Sequence, residues 1–274
     1  MTADLFAAKP LVIAALHLPD LAIGPKRSMA WLEDYVLGNA RIFAEAGVPA
    51  VKLQDQTRAT GGASLATVAL MASLGRLLRR EFPALQLGII LQAHDAEAPI
   101  AVAHAAGACF VRLKVYVAAA VGAEGTKQAL GVAARNYRAA LPAPGVAILA
   151  DVFDRTSVPL VDVPPERAAL WAQGLGADGL VLTGADFADS LMRIRAARSA
   201  GVTAPILLGG GVTEANVAEA LSVAQGVVVS SSLMRAGAGP DDVLRWDAGR
   251  TRRLMDSARQ IPILGQNLRS EGSI

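Results

Sequence analysis

The chain has 274 residues, 53% hydrophobic and only 18% charged, which suits one large domain with a sheet buried on both faces and excludes an intrinsically disordered chain. With 26 basic and 24 acidic residues the net charge is +2, so charge implies neither a nucleic-acid-binding nor a membrane-binding surface. The single Cys109 excludes an internal disulfide and fits a reducing compartment.

The first predicted strand is 11–16, with His17, Pro19 and Asp20 just beyond it. Six apolar residues are too few to span a membrane. Asp4 precedes them and a basic segment does not, so no secretory leader or integral membrane segment is expected, and the protein reads as cytoplasmic. A loop through Gly24 and Pro25 leads to a helix over 29–46, which Gly47 ends. The second strand, 50–54, exits through a polar loop with Gly61 and Gly62 into a helix over 64–81. The third, 87–92, passes through Ala93, His94 and Asp95 into an alanine-rich helix ended by Gly107.

The fourth strand, 109–114, is followed by a loop over 115–125 and a helix to about Leu141. The fifth, 146–151, continues through a proline-rich loop to a helix over 165–173, with Pro165 at its first position. The sixth, 179–183, leads through Gly184 to a helix over 186–199. Strand seven, 205–208, flows into Gly209, Gly210 and Gly211, with Thr213 as the expected N-cap of the next helix. Strand eight, 227–229, ends in Ser230, Ser231 and Ser232. A last helix over 241–258 leaves residues 260–274 as a tail that is a candidate for disorder.

Eight strand–helix alternations predict an α/β fold, a single (β/α)8 TIM barrel over residues 1–259. An internal repeat agrees: A-G-V-P-A-V-K-L at 46–53, A-G-A-C-F-V-R-L at 106–113 and L-G-A-D-G-L-V-L at 175–182 each place a glycine helix stop before an even-numbered strand. In such barrels the loops after strands seven and eight commonly hold a phosphate. Gly209, Gly210 and Gly211 on one side and Ser230, Ser231 and Ser232 on the other are therefore the expected phosphate-binding residues, through backbone amides and hydroxyls. Tight helix–strand packing is the competing reason for the glycines.

Strand residues alternate between the barrel interior and the helix-facing side. With Val51, Leu53, Val111, Leu113 and Val115 facing the helices, Lys52, Gln54, Arg112, Lys114 and Tyr116 point inward; His17, Gln92, His94 and Asp151 fall on inward positions by the same rule. Three cations against one carboxylate leave positive charge that an anionic substrate would answer, although an interior ion pair alone would explain Lys52 or Arg112 singly. The expected catalytic residues are Asp151 as general base, Lys114 as oxyanion stabiliser and His17 as an orienting or proton-shuttling group. Lys52 or Lys114 is the alternative as a Schiff-base amine. Gln54, Gln92, His94, Arg112 and Thr183 are expected to contact substrate, and Asp55 is a weaker candidate at the mouth. His94 and Asp95 lack a third ligand at metal spacing, so Asp95 reads as a helix N-cap; His104 reads as structural, and neither metal nor cofactor is expected. The serine run lacks a nucleophile elbow.

The segments A-L-H-L-P (15–19), H-D-A (94–96), G-A-C-F-V-R-L-K-V (107–115), I-L-A-D-V (148–152), L-V-L-T-G (180–184), L-G-G-G-V-T-E-A-N-V (208–217) and V-V-S-S-S-L (228–233) occur in the order that marks the BtpA/SgcQ family, which the chain resembles over nearly its whole length. The chain departs from that family at His94, where N-D-A is usual. It departs again after Val152, where Phe153 to Ser157 replace a segment that usually carries two histidines and a lysine. The resemblance implies a (β/α)8 fold. For function it implies either an enzyme on a small phosphorylated metabolite, such as a sugar phosphate isomerase, epimerase or aldolase, or a non-catalytic assembly factor for a membrane complex. A homo-oligomer is compatible with either.

Overall fold

The computed structural model describes residues 5–142, 145–153 and 155–260. Eight parallel strands close into a barrel: β1 (Leu11–His17), β2 (Ala50–Gln54), β3 (Gln86–Ile90), β4 (Phe110–Leu113), β7 (Ala147–Asp151), β9 (Gly179–Leu182), β10 (Ile206–Gly209) and β11 (Gly226–Val229), with β1 paired to both β2 and β11. Around it lie α1 (Met29–Glu45), α2 (Leu65–Glu81), α3 (Ala98–Ala106), α4 (Gly131–Ala140), α5 (Pro165–Gly174), α6 (Phe187–Ser199), α7 (Val217–Val223) and α8 (Ala248–Arg259). The predicted alternation is thus the observed architecture, a TIM barrel.

Strand parity divides the hydrophobic core in two. Val12, Val51, Val111 and Ile148 belong to the shell between strands and helices. Leu11, Ile13, Phe110, Leu149 and Leu207 fill the lower interior, with Leu5 of a short 3-10 turn packed beneath them. Gly88 makes room for one of these fillers, because a Cβ there would lie 2.1 Å from the Phe110 ring.

Several local expectations are corrected. The segment after β4 forms a hairpin, β5 (Ala120–Gly122) with β6 (Gly125–Lys127), and β8 (Ser157–Pro159) adds to it as a third antiparallel strand. Tyr116 points into the helix-side core, its hydroxyl donating to the Leu175 carbonyl, because Val115 takes a positive φ of 46° and breaks the alternation. Thr213 is not a helix cap: its carbonyl closes a turn onto Asn216 and Val217, and α7 begins at Val217. The last helix starts at Ala248 rather than 241, where the Asp247 side chain caps the Arg250 amide. The expected tail beyond residue 260 lies outside the described residues.

Gly88→Ala is expected to destabilise the fold by about 3 kcal/mol, since the added methyl must displace a fully buried ring. Urea denaturation measures it. A loss under about 1 kcal/mol would mean that Phe110 repacks freely.

Candidate active site

The inward residues at the C-terminal ends of the strands surround a cavity of about 620 Å³. His17, Lys52, Gln54, Gln92, Arg112, Lys114 and Thr183 all line it, as do Gly209 to Gly211 and Ser230 to Ser232. Parity therefore brings together the residues that the sequence places inward, and register sets their levels: Lys52 lies level with Ala15, and Gln54 with His17.

Asp151 is 1% exposed and does not line the cavity. It lies below, where its Oδ1 accepts from Arg112 Nη2 at 2.7 Å and Nε at 3.0 Å, and Oδ2 accepts from Nε at 3.1 Å. Lys52 is 4% exposed and donates to Gln54 Oε1. Burial and then the Arg112 charge hold its amine well below the usual lysine range, with Asp151 opposing and Lys114 adding to the shift. Lys114 Nζ donates to Gln92 Oε1 at 2.5 Å. His17 is pushed down to about 3 by burial, then by Lys52, Arg245 and Arg112, so its imidazole is neutral near pH 7.

His94 does not line this cavity. It lines a narrow neighbouring crevice together with Gln92, Arg112 and Lys114, with Nε2 at 2.7 Å from the Gln128 carbonyl. Asp95 is not the N-cap of α3, a position that Glu97 holds without a side-chain cap; it braces the turn before it, Oδ1 accepting from the Glu97 and Ala98 amides and Oδ2 from Ala63. His104 is exposed on α3.

Each glycine of the triplet has its own reason. A Cβ at Gly209 would lie 2.3 Å from Thr183 Oγ1, and one at Gly210 would lie 2.8 Å from Arg155 Nη2. Gly210 and Gly211 both have left-handed φ, 83° and 74°. The Gly210 amide reaches the Val228 carbonyl at 3.4 Å, and the Ser232 hydroxyl donates to the Val212 carbonyl at 2.7 Å, tying the two loops together. The amides of Gly211, Ser231 and Ser232 have no acceptor among the described residues.

Sequence reasoning missed Arg155, which reaches from the loop after β7 to Gly210, and Arg58 and Gln56 of the loop after β2. Their loops follow no strand parity, so only the basic residue types stood as a signal. Arg58 pairs with Glu124 at 2.8 Å at the rim.

The sequence pattern of the BtpA family matches residues 8–260. The chain belongs to the BtpA family. It is 32% identical over 156 residues to the photosystem I biogenesis protein BtpA of Synechocystis sp., a match that spans 55% of this chain and 53% of that relative. It is 27% identical over 253 residues to an uncharacterized protein of Archaeoglobus fulgidus, covering 90% of this chain and 98% of the relative. Among solved structures, tryptophan synthase from M. tuberculosis superposes with TM-score 0.59 at 14% identity, covering 93% of this chain and 98% of the other. Phosphoribosyl anthranilate isomerase from Thermococcus kodakaraensis gives 0.53 at 17%, covering 91% and 99%. At such identities the likeness is one of fold. Among the described residues no helix is long and apolar enough to cross a membrane.

Asp55, adjacent to this site, is 3% exposed, and burial pushes its carboxyl up to about 6 although the Gln92 amide donates to Oδ1 at 2.6 Å. A carboxyl raised on folding stabilises most below its unfolded pKa, and that stability is lost as pH rises through about 6. The shift corresponds to about 3 kcal/mol. Asp55→Asn, which stays neutral, is expected to exceed the parent in stability at about pH 7.5 and to match it at about pH 4. Denaturation at both pH values checks this, and an equal difference at both would assign the effect to packing.

Proposed function

We propose that the protein is a cytoplasmic enzyme acting on a small phosphorylated metabolite, most simply a sugar phosphate, by proton transfer next to a carbonyl, as an isomerase, epimerase or aldolase does. The observation that carries this reading is Lys52: a buried amine, held below the usual lysine range, that opens into a large polar cavity beside Arg112 and Lys114. A neutral amine attacks a carbonyl carbon, and loss of water from the adduct gives an iminium that draws electrons from the neighbouring C–H or C–C bond. Without the covalent step, the same amine accepts the proton directly.

The other residues take supporting roles. Lys114 stabilises the developing oxyanion, and neutral His17 donates a hydrogen bond to it or shuttles the proton. Asp151 becomes a positioning residue rather than the base, since its oxygens are engaged by Arg112 and it does not reach the cavity. The phosphate is held by the amides of Gly211, Ser231 and Ser232, with Arg155 covering it from above Gly210.

A second reading, an assembly factor for a membrane complex, draws on the name of the Synechocystis relative and on the exposed Val158, Leu160 and Val161 of the β8 segment. It predicts that replacing Lys52 and Lys114 by apolar residues, with the Arg112–Asp151 pair left intact, preserves function, whereas an enzyme loses it.

Sodium borohydride is expected to trap a phosphorylated carbonyl substrate on Lys52, read as a mass increase on the peptide that contains it and absent in Lys52→Met. Turnover without any trapped adduct would leave the direct proton-transfer route, and turnover unchanged in Lys52→Met would exclude both. Independently, Arg155→Ala is expected to weaken phosphorylated ligands about tenfold or more, consistent with a charged hydrogen bond, while sparing their dephosphorylated forms. Equal weakening of both forms would count against the cradle.

A further inference from the structure

A second cavity, of about 220 Å³, lies on the outer side of the β2 exit, apart from the barrel mouth. Leu18, Leu21 and Leu70 give it an apolar wall, and Asp55, Ser64 and Ala66 give it a polar end. Two features of the polar end lack partners. Asp55 Oδ2 is buried with no hydrogen bond of normal geometry among the described residues; the Gln92 amide holds Oδ1, and the Thr57 amide adds a weaker pull on the carboxyl. At the start of the 17-residue helix α2, the Ser64 hydroxyl caps the Thr67 amide and the Ser64 carbonyl takes the Val68 amide, which leaves without acceptors among the described residues the amide of Ala66, which lines the cavity, and that of Leu65, which precedes it and does not.

These two features ask for opposite charges. A buried carboxylate oxygen calls for a cationic donor, whereas the opening amides of a helix call for an anion. A molecule that carries both charges one carbon apart answers both at once. We propose that this cavity binds a small aliphatic α-amino acid, with its ammonium on Asp55, its carboxylate at the first amides of α2 and its side chain against Leu18, Leu21 and Leu70.

The volume suits such a ligand with room for a bridging water. The proposal also accounts for an ionisable group placed where burial disfavours its charge, since a bound ammonium supplies the missing partner. The site is one residue removed from the mouth, because Asp55 holds the backbone of Gln92 while the Gln92 side chain receives Lys114. It stands whether or not the main cavity is catalytic.

The test is calorimetric titration of the full chain with L-leucine, L-valine and L-alanine, using isoamylamine and 4-methylpentanoate as controls with one charge each. Leucine is expected to bind at least about tenfold more tightly than either control, because each control loses one charged contact. Asp55→Asn should weaken leucine and isoamylamine about tenfold and spare 4-methylpentanoate. Leu65→Pro removes one helix-start amide; Leu65 is 88% exposed and the preceding Ser64 is extended at ψ 151°, so the fold accepts proline there. It should weaken leucine and 4-methylpentanoate and spare isoamylamine. No heat with leucine at concentrations on the order of 10 mM would overturn the proposal. So would controls that bind as well as leucine, or unchanged leucine binding in Leu65→Pro.

Discussion

Arg112 and Asp151 meet where the barrel interior changes from hydrocarbon to polar side chains. Below them lie Leu11, Ile13, Phe110, Leu149 and Leu207; above them the cavity opens. Removing either partner of such a buried pair strands a charge in low dielectric, at a cost of about 3–5 kcal/mol. The pair therefore fixes the guanidinium in place, and through it the environment of Lys52. Asp151 favours the ammonium form of Lys52, but Arg112 outweighs it and burial outweighs both. A pair that is neutral as a unit thus leaves the lysine above it short of compensating charge, which is the condition under which an amine gives up its proton.

The same arrangement sets the electrostatics of the whole mouth. Lys52, Arg58, Arg112, Lys114 and Arg155 line the cavity, and no carboxylate does so among the described residues. Arg58 is answered by Glu124 at the rim and Arg112 by Asp151 on the floor. In a cavity with low-dielectric walls the field of such a set is focused rather than averaged out, so an anion is drawn in and a cation is kept out. His17 responds to the same surroundings: burial first, and then the basic groups of Lys52, Arg245 and Arg112, lower its affinity for a proton, so it enters chemistry as neutral imidazole.

Most of this was legible in the sequence because a closed parallel barrel obeys a period of two. Val51 and Leu53 on the helix side put Lys52 and Gln54 inward without any knowledge of packing, and Arg112 with Lys114 followed likewise. The rule failed where the backbone left the strand. Val115 at positive φ turned Tyr116 outward, and the hairpin of β5 and β6 formed from a stretch whose small residues carry little periodicity. His94 falls outside the main cavity for the same reason, since it lies past the end of β3, where a turn rather than a pleat aims the side chain into the neighbouring crevice. Arg155 could not be read at all: it reaches the cavity only because the long excursion after β7 folds back over Gly210. The role given to Asp151 rested on a carboxylate among cations, but sequence cannot tell an acid that faces the cavity from one that is consumed beneath it.

The glycine triplet shows how one motif divides its work. Gly209 is small because Thr183 and Val181 occupy the space where a Cβ would go, which is the packing explanation weighed against ligand binding. Gly210 combines a left-handed φ with the Arg155 guanidinium lying against it. At Gly211 there is nothing within 4 Å of the Cβ position, so packing cannot be what requires glycine there. Its left-handed φ is the remaining physical demand, and two successive left-handed residues swing the chain so that the Gly211 amide is left without an acceptor next to the equally unengaged amides of Ser231 and Ser232. The sequence gap between those residues is bridged by the Ser232 hydroxyl on the Val212 carbonyl, which holds the two loops in register. A donor set assembled by backbone path and locked by one side chain keeps its geometry whichever ligand fills the rest of the cavity. Under the proposed function, such a set would anchor the phosphate and leave discrimination to the side chains around Lys52.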